Sequence, residues 1–218
     1  MNKIISKLKV KNAKLRKIIY IIIIALAVIV GAAVIFWPRP GQFISSAQQD
    51  LADKNSAAAT STIKKGLYFY PHNKELKLLL AQTYFSDKKY QEAINGYQQL
   101  VQGETTAETL NAMANAYRDN NDIQSAKQYY RQAIELNPQF VKPYINLATI
   151  LNSEHEYSQS IELLEAGQKA GAGSEVVRLL AITYQRNQNP QSARLTLQSW
   201  LANNPDDKNA QNLLTELN

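Results

Sequence analysis

LNAMANAYRDNND, residues 110–122, sets four asparagines inside a run that otherwise has helical spacing. Asparagine is a poor helix former because its side chain competes for backbone hydrogen bonds. Each asparagine here therefore needs a justification, either a turn or a partner. The sixteen residues that follow, IQSAKQYYRQAIELNP, form a second apolar-periodic run that closes on Pro138. Proline lacks a backbone donor and restricts the residue before it, so it stops a helix. Two helical runs around an Asn-Asn-Asp break describe a helical hairpin.

The hairpin recurs. Ala81, Ala114, Ala148 and Ala181 are separated by 33, 34 and 33 residues. The same intervals relate Tyr84, Tyr117, Leu151 and Tyr184, then Ala93, Ala126, Ser160 and Ala193, then Tyr97, Tyr130, Leu164 and Leu197. The slip from 34 to 33 has a location. From the tyrosine position to the second small residue the interval is always nine, so the turn inside each hairpin is constant. From the second small residue to the next unit's first it is 22 where a proline closes the unit, as at Pro71 and Pro138. It is 21 where Thr105 or Ala172 stands instead.

These residues resemble the tetratricopeptide repeat, a helix–turn–helix unit of about 34 residues. The second unit carries the pattern most fully, in Met113-Ala114, Tyr117, Ala126, Tyr130, Ala133 and Pro138. The resemblance implies an all-α fold, a right-handed superhelix of stacked helix–turn–helix repeats, here preceded by one transmembrane helix. Units are expected at 74–106, 107–140, 141–173 and 174–207, after a degenerate first unit at 40–73 that keeps Ala59, Ile63, Gly66 and Pro71. No single unit buries its apolar face, so several must stack. Residues 208–218, DKNAQNLLTELN from Asp207 onward, read as a capping helix with Leu213, Leu214 and Leu217 inward. The glycines of GAGS, 171–174, read as a helix terminator, because no strand precedes them as a phosphate-binding loop requires.

Residues 18–37, IIYIIIIALAVIVGAAVIFW, carry no charge and would make a helix of about 30 Å, the thickness of a bilayer core. Seven lysines and arginines lie in residues 1–17 with no acid among them, so this stub is expected on the cytoplasmic side. Everything after Pro38 then faces outward, making a single-pass inner-membrane protein with an extracytoplasmic or periplasmic array. Trp37 and Tyr20 fall near the two interfaces. A cleaved signal peptide ending near Ala25-Leu26-Ala27 is the competing reading; the apolar run continues ten residues beyond it. The chain has no cysteine, which excludes disulfides and a lipidated cysteine anchor. The formal charge of +6 belongs to the stub, since the remaining 17 Lys+Arg face 18 Asp+Glu. Nucleic acid is therefore not an expected partner.

Catalytic chemistry is not expected. The two histidines, His72 and His155, fall in connections, and neighbours in Glu154-His155-Glu156 do not converge on one point of a helix. No nucleophile elbow or paired-histidine zinc motif is present, so no metal and no cofactor are expected.

What remains is surface recognition of a protein or peptide partner. In the family, the first helix of each unit lines the concave face, through four side chains spaced three, four and three apart. The resemblance places there Glu75, Leu78, Gln82 and Phe85, then Glu108, Asn111, Asn115 and Arg118. Lys142, Ile145, Thr149 and Asn152 continue it, followed by Glu175, Arg178, Ile182 and Gln185, with Asn146 at an adjacent position that related arrays use to hold peptide backbone. The candidate peptide-binding set is Gln82, Asn111, Asn115, Arg118, Lys142, Asn146, Thr149, Arg178 and Gln185. A clamp for a terminal carboxylate is not expected: Asn111 stands where a lysine is needed, and Glu175 and Leu179 occupy the other cationic positions. Asn120 and Asn121 read as turn residues that tolerate left-handed backbone geometry. In GLYFYP, 66–71, the rings are expected to pack on the following unit or to leave one exposed as an anchor. An alternative to groove binding is self-assembly through the repeats or the small-residue patch Gly31-Ala32-Ala33.

Overall fold

The computed structural model describes residues 13–171 and 173–217. Helix starts are set by short polar side chains that accept a hydrogen bond from an otherwise unpaired amide. Asn73 caps Leu76 at 2.9 Å, Asp122 caps Ser125 at 3.0 Å, and Asn55, Thr106, Asn189 and Asp207 act in the same way. The resulting elements are α1 (Ala13–Phe36), α2 (Pro40–Ala52), α3 (Ser56–Phe69), α4 (Lys74–Ser86), α5 (Tyr90–Val101) and α6 (Ala107–Asp119). They continue as α7 (Ile123–Leu136), α8 (Val141–Ser153), α9 (Tyr157–Lys169), α10 (Ser174–Arg186), α11 (Pro190–Asn203) and α12 (Lys208–Glu216).

Helix ends inside each hairpin share one closure. Lys54, Lys88, Asn121, His155 and Gln188 all have φ between 58° and 63°, the left-handed region. The residue after each donates its amide to the carbonyl five positions back, as Lys89 does to Tyr84 at 2.8 Å and Asp122 to Tyr117 at 2.9 Å. This six-to-one bond satisfies a terminal carbonyl and turns the chain sharply into the next helix. It accounts for the constant interval of nine from the tyrosine position. Asn121 takes the left-handed conformation that sequence suggested; Asn120 does not, with φ at −87°.

Small residues sit where helices cross. Ala59, Ala81, Ala93, Ala114, Ala126, Ala148, Ser160, Ala181 and Ala193 are fully buried. Larger side chains fill the space beside them: Ile63, Tyr97, Tyr130, Leu164 and Leu197. Gly66, Gly96 and Gly167 permit close approaches, since an added Cβ would lie 2.9 Å from Phe43 Cβ, Ala81 Cβ and the Tyr144 ring respectively.

Each helix packs on the next in sequence from α2 to α12. First helices of successive hairpins also touch, α2 with α4, α8 with α10, and α10 with the cap α12. Among the described residues no pair of second helices packs to that extent. Leu213, Leu214 and Leu217 of α12 cover Ala181, Ala193 and Leu197 at the open end.

α1 runs for 24 residues, about 36 Å at 1.5 Å per residue. Its described side chains include Ile18, Ile21, Ile22, Ile24, Leu26 and Val28, all exposed. Among the described residues no helix is long and apolar enough to cross a membrane. The expected span at 18–37 includes side chains at 29–36 that lie outside the described set, as do residues 1–12 of the basic stub.

Candidate functional site

The candidate face of the first helices is not uniformly open. Gln82, Lys142, Thr149 and Gln185 are exposed, together with Glu75, Glu108 and Glu175. Asn115, Arg118, Asn146 and Arg178 are half-buried, as are Leu78, Phe85, Ile145 and Ile182. Asn111 and Asn152 are buried, with 6% and 4% of their surface accessible. Asn111 and Asn152 are thus largely covered where they stand on the first helices, Asn111 against Asn146 and Asn152 against Thr183.

The asparagines find one another. Asn146 on α8 donates from Nδ2 to Asn111 Oδ1 and to Asn115 Oδ1 on α6, each at 3.1 Å. Asn115 Oδ1 also accepts the phenol hydroxyl of Tyr130 at 2.6 Å. That hydroxyl in turn lies 3.5 Å from the Arg118 guanidinium, which donates to it. The direction of each bond is set by this chain. Arg118 has no acceptor, so Tyr130 donates to Asn115, whose contacting atom is then its oxygen, and Asn146 must present its NH₂. Burial pushes the Tyr130 hydroxyl up to about 12, so it holds its proton and remains a donor at neutral pH.

Counting donors and acceptors shows what is left over. Asn146 has both Nδ2 hydrogens engaged and its Oδ1 without a partner among the described residues. Asn115 has its oxygen doubly used and its Nδ2 without a partner. One unused amide nitrogen, with two hydrogens to donate, and one unused amide oxygen therefore remain on adjacent first helices. The other candidates divide. Arg118 is held by Asp119 at 2.8 Å, and this hydrogen bond is the main reason its charge is held more firmly than usual. Thr149 gives its hydroxyl hydrogen to the Ile145 carbonyl at 2.7 Å. Gln82, Lys142 and Gln185 make no side-chain hydrogen bond among the described residues. Lys142 and Glu175 line an open cleft of about 460 Å³ with Phe140 and Ser174. Arg178 keeps a buried Nε without a partner, and Asn152, which donates to Thr183 at 2.9 Å, keeps a buried Oδ1 without one.

Two participants escaped sequence reasoning. Tyr130 reads as a core ring in the repeat pattern, and nothing in its spacing announces that its hydroxyl reaches a residue 15 positions earlier. Lys127, only 7% exposed on α7, pairs with Glu154 and lies 3.9 Å from Glu156. Glu154 and Glu156 thus flank a hairpin turn and neutralise a buried cation. Among the described residues no cluster of metal-ligating side chains occurs.

Hairpins repeating every 33 or 34 residues, with small residues at each crossing, define a tetratricopeptide repeat array. Residues 107–140 match the tetratricopeptide repeat family. The fold is similar to that of MamA, with 21% identity over 75% of this chain and 90% of that one and a TM-score of 0.62. It is also similar to YrrB, described as a TPR protein with an unusual peptide-binding site, at 16% identity over 84% and 95% of the two chains and a TM-score of 0.58. A tetratricopeptide repeat protein from Parabacteroides merdae gives a TM-score of 0.64 at 16% identity, over 82% of this chain and 72% of that one. No curated protein matches the chain by sequence. The chain thus has the stacked-hairpin fold of tetratricopeptide repeat proteins, with one hairpin matching that family in sequence.

Proposed function

We propose that this protein is a membrane-anchored scaffold that captures extended segments of other proteins on the inward face of its first helices. The observation that carries the reading is the pair of unused groups on the asparagine network, Asn115 Nδ2 and Asn146 Oδ1. A main-chain peptide unit offers one carbonyl and one amide, and this pair complements both. Leu78, Ile145 and Ile182 supply partial apolar contact on either side. The carboxylate-binding variant of such a groove is not part of the proposal, since Asn111 stands where a lysine is needed and Glu175 and Leu179 occupy the other cationic positions.

The anchor is the uncharged run at 18–37, and the basic stub before it orients the array outside the cytoplasm. Holding the array at the membrane raises its effective concentration for partners bound to the same surface. This suits an accessory subunit of an envelope assembly.

Photo-crosslinking from the full chain in its membrane tests the groove. Probes at Gln82 and Thr149, both exposed on the first helices, are expected to capture a protein partner. A probe at Gln128, exposed on α7, serves as the outward control. Capture from Gln128 with none from Gln82 or Thr149 overturns the reading. Capture only of a second copy of the chain supports self-assembly instead.

A further inference from the structure

Beyond α1, the exposed large hydrophobic side chains among the described residues are Trp37, Tyr68, Phe69, Leu136 and Leu195. The two leucines stand alone on α7 and α11. The three aromatics stand together, with Trp37 edge-on to Phe69 at 5.5 Å and Tyr68 edge-on to Phe69 at 5.4 Å. Phe43 stacks under Phe69 at 5.9 Å and fixes that ring from below. Sequence suggested that the rings of 66–71 pack on the following unit or leave one exposed. Leu67 and Tyr70 do pack towards Leu76, Leu79 and Leu80, but Phe69 turns to Trp37 and Phe43, and Tyr68 remains 84% exposed.

The patch lies where α1 enters the array. The N-terminal end of α2 and the C-terminal end of α3 meet there, and the Tyr70 hydroxyl donates to the Pro38 carbonyl at 2.7 Å. That bond ties the exit of α1 to the first hairpin and limits how far the two can swing apart. Lys64 and Lys65 stand one turn before Tyr68 and Phe69 on α3, and Arg39 sits at the start of α2. All three are exposed and form no ion pair among the described residues; Lys64 Nζ lies over the Tyr84 ring of α4, 5.9 Å from its centroid, which leaves Lys65 and Arg39 uncommitted at the corner. The acids of this hairpin, Asp50 and Asp53, are at its opposite end, where Asp50 accepts from Thr62 at 3.1 Å.

We infer that this corner of the first hairpin seats on the membrane interface, its rings entering the headgroup layer and its cations facing anionic lipid. The inference rests on the membrane-anchored reading of α1. Its occupant follows from chemistry on one surface: amphipathic rings with polar tips prefer the water–lipid boundary, and exposed cations beside it gain from any anionic headgroups within a Debye length. Trp37 ends the uncharged run at 18–37 that serves as the anchor, and the Tyr70–Pro38 bond holds the corner beside it, which places the lipid on the same side. A seated hairpin holds the array at a fixed inclination rather than on a free tether, so its binding face has one orientation to the membrane.

The native chain has no cysteine, which permits a single label at Lys65→Cys in the full chain, in nanodiscs of mixed neutral and anionic lipid. Headgroup-attached spin-labelled lipid is expected to quench this label at least threefold more than a label at Lys54→Cys at the far end of the hairpin. Adding Tyr68→Ser, at a position too exposed to affect folding, is expected to halve the quenching at residue 65. Incorporation with equal quenching at both sites, or no effect of Tyr68→Ser, overturns the inference and leaves the anchor intact. Energy transfer between copies that accounts for the change at residue 65 assigns the patch to self-association and also overturns it. Failure of the chain to enter the nanodisc overturns the anchor, and the inference with it.

Discussion

Replacing Asn146 by alanine tests whether the asparagine network holds the third and fourth hairpins, α6–α7 and α8–α9, together. Two hydrogen bonds to α6 disappear, both at 3.1 Å, each with a net value of about 1 kcal/mol. Their remaining partners fare differently. Asn115 Oδ1 keeps the Tyr130 hydroxyl at 2.6 Å, but Asn111 Oδ1 loses its only partner in a side chain that is 6% exposed. An unsatisfied buried acceptor costs about 1–3 kcal/mol, with the low end reached if water enters the gap left by truncation. Alanine recovers roughly 0.5 kcal/mol of helix propensity. The expected net loss is about 2.5–4.5 kcal/mol, or a fall in Tm of about 5–18 °C for an array of this size.

Circular dichroism of the full chain in detergent, against temperature and urea, measures the loss. A double-mutant cycle identifies its cause. If the orphaned Asn111 oxygen carries part of the cost, Asn111→Ala in the Asn146→Ala background adds less than it does alone, giving a coupling of about 1 kcal/mol or more. A loss under about 0.5 kcal/mol for Asn146→Ala, or strict additivity in the cycle, refutes the assignment of these amides to inter-hairpin bonding.

Glycine at a left-handed turn position, Gln188→Gly or Lys88→Gly, is expected to stabilise by about 0.5–1 kcal/mol in urea, because a side chain at φ near 60° carries strain that glycine lacks; a loss of stability contradicts the strain argument. Gly66→Ala is expected to destabilise by about 1–3 kcal/mol despite alanine's better helix propensity, since the new Cβ would lie 2.9 Å from both Phe43 Cβ and Leu76 Cδ1; a stabilised variant refutes the close approach. Burial raises Tyr97 and Tyr130 from 10.0 to about 12. Their contribution is fully present below pH 10 and is lost as pH rises towards 12, because the unfolded chain releases these protons first. Each amounts to about 2–3 kcal/mol at most. Stability should therefore fall steeply across that window, with phenolate absorbance rising as the fold is lost; both rings ionising near pH 10 in a folded chain contradicts their burial.

The fold was legible because its hardest constraint is repeated. Close approach of paired helices admits only a small residue, and the demand recurs at Ala81, Ala114, Ala148 and Ala181, so a single sequence displays it several times. The turn conformation was hidden for the opposite reason. Lys54, Lys88, Asn121, His155 and Gln188 share no chemistry, yet all adopt the left-handed region. The six-to-one backbone bond that follows each of them imposes the conformation whatever the side chain. Reading Asn121 as a left-handed turn residue worked because asparagine tolerates that geometry; Asn120 lies in the same turn as the helix C-cap, but with φ at −87°.

At the site, sequence located the helix face but not what the side chains do on it. The spacing of four puts Asn111 and Asn115 on one side of α6, which needs only helical geometry. That Asn146 lies across from them, 35 and 31 residues away, depends on how hairpins stack, and no local pattern encodes it. That pairing alters the chemistry expected of a ligand. Free asparagine side chains could bond in either sense and could rotate. Here Tyr130 fixes the sense of Asn115, Asn115 fixes that of Asn146, and burial keeps Tyr130 protonated. The network therefore presents a donor from one hairpin and an acceptor from the next in an order set by the fold. A pair held in this way discriminates by direction: an extended chain entering one way meets carbonyl with donor and amide with acceptor, and the reverse orientation opposes like groups. If the proposed capture occurs there, it selects the polarity of a peptide before it selects its side chains.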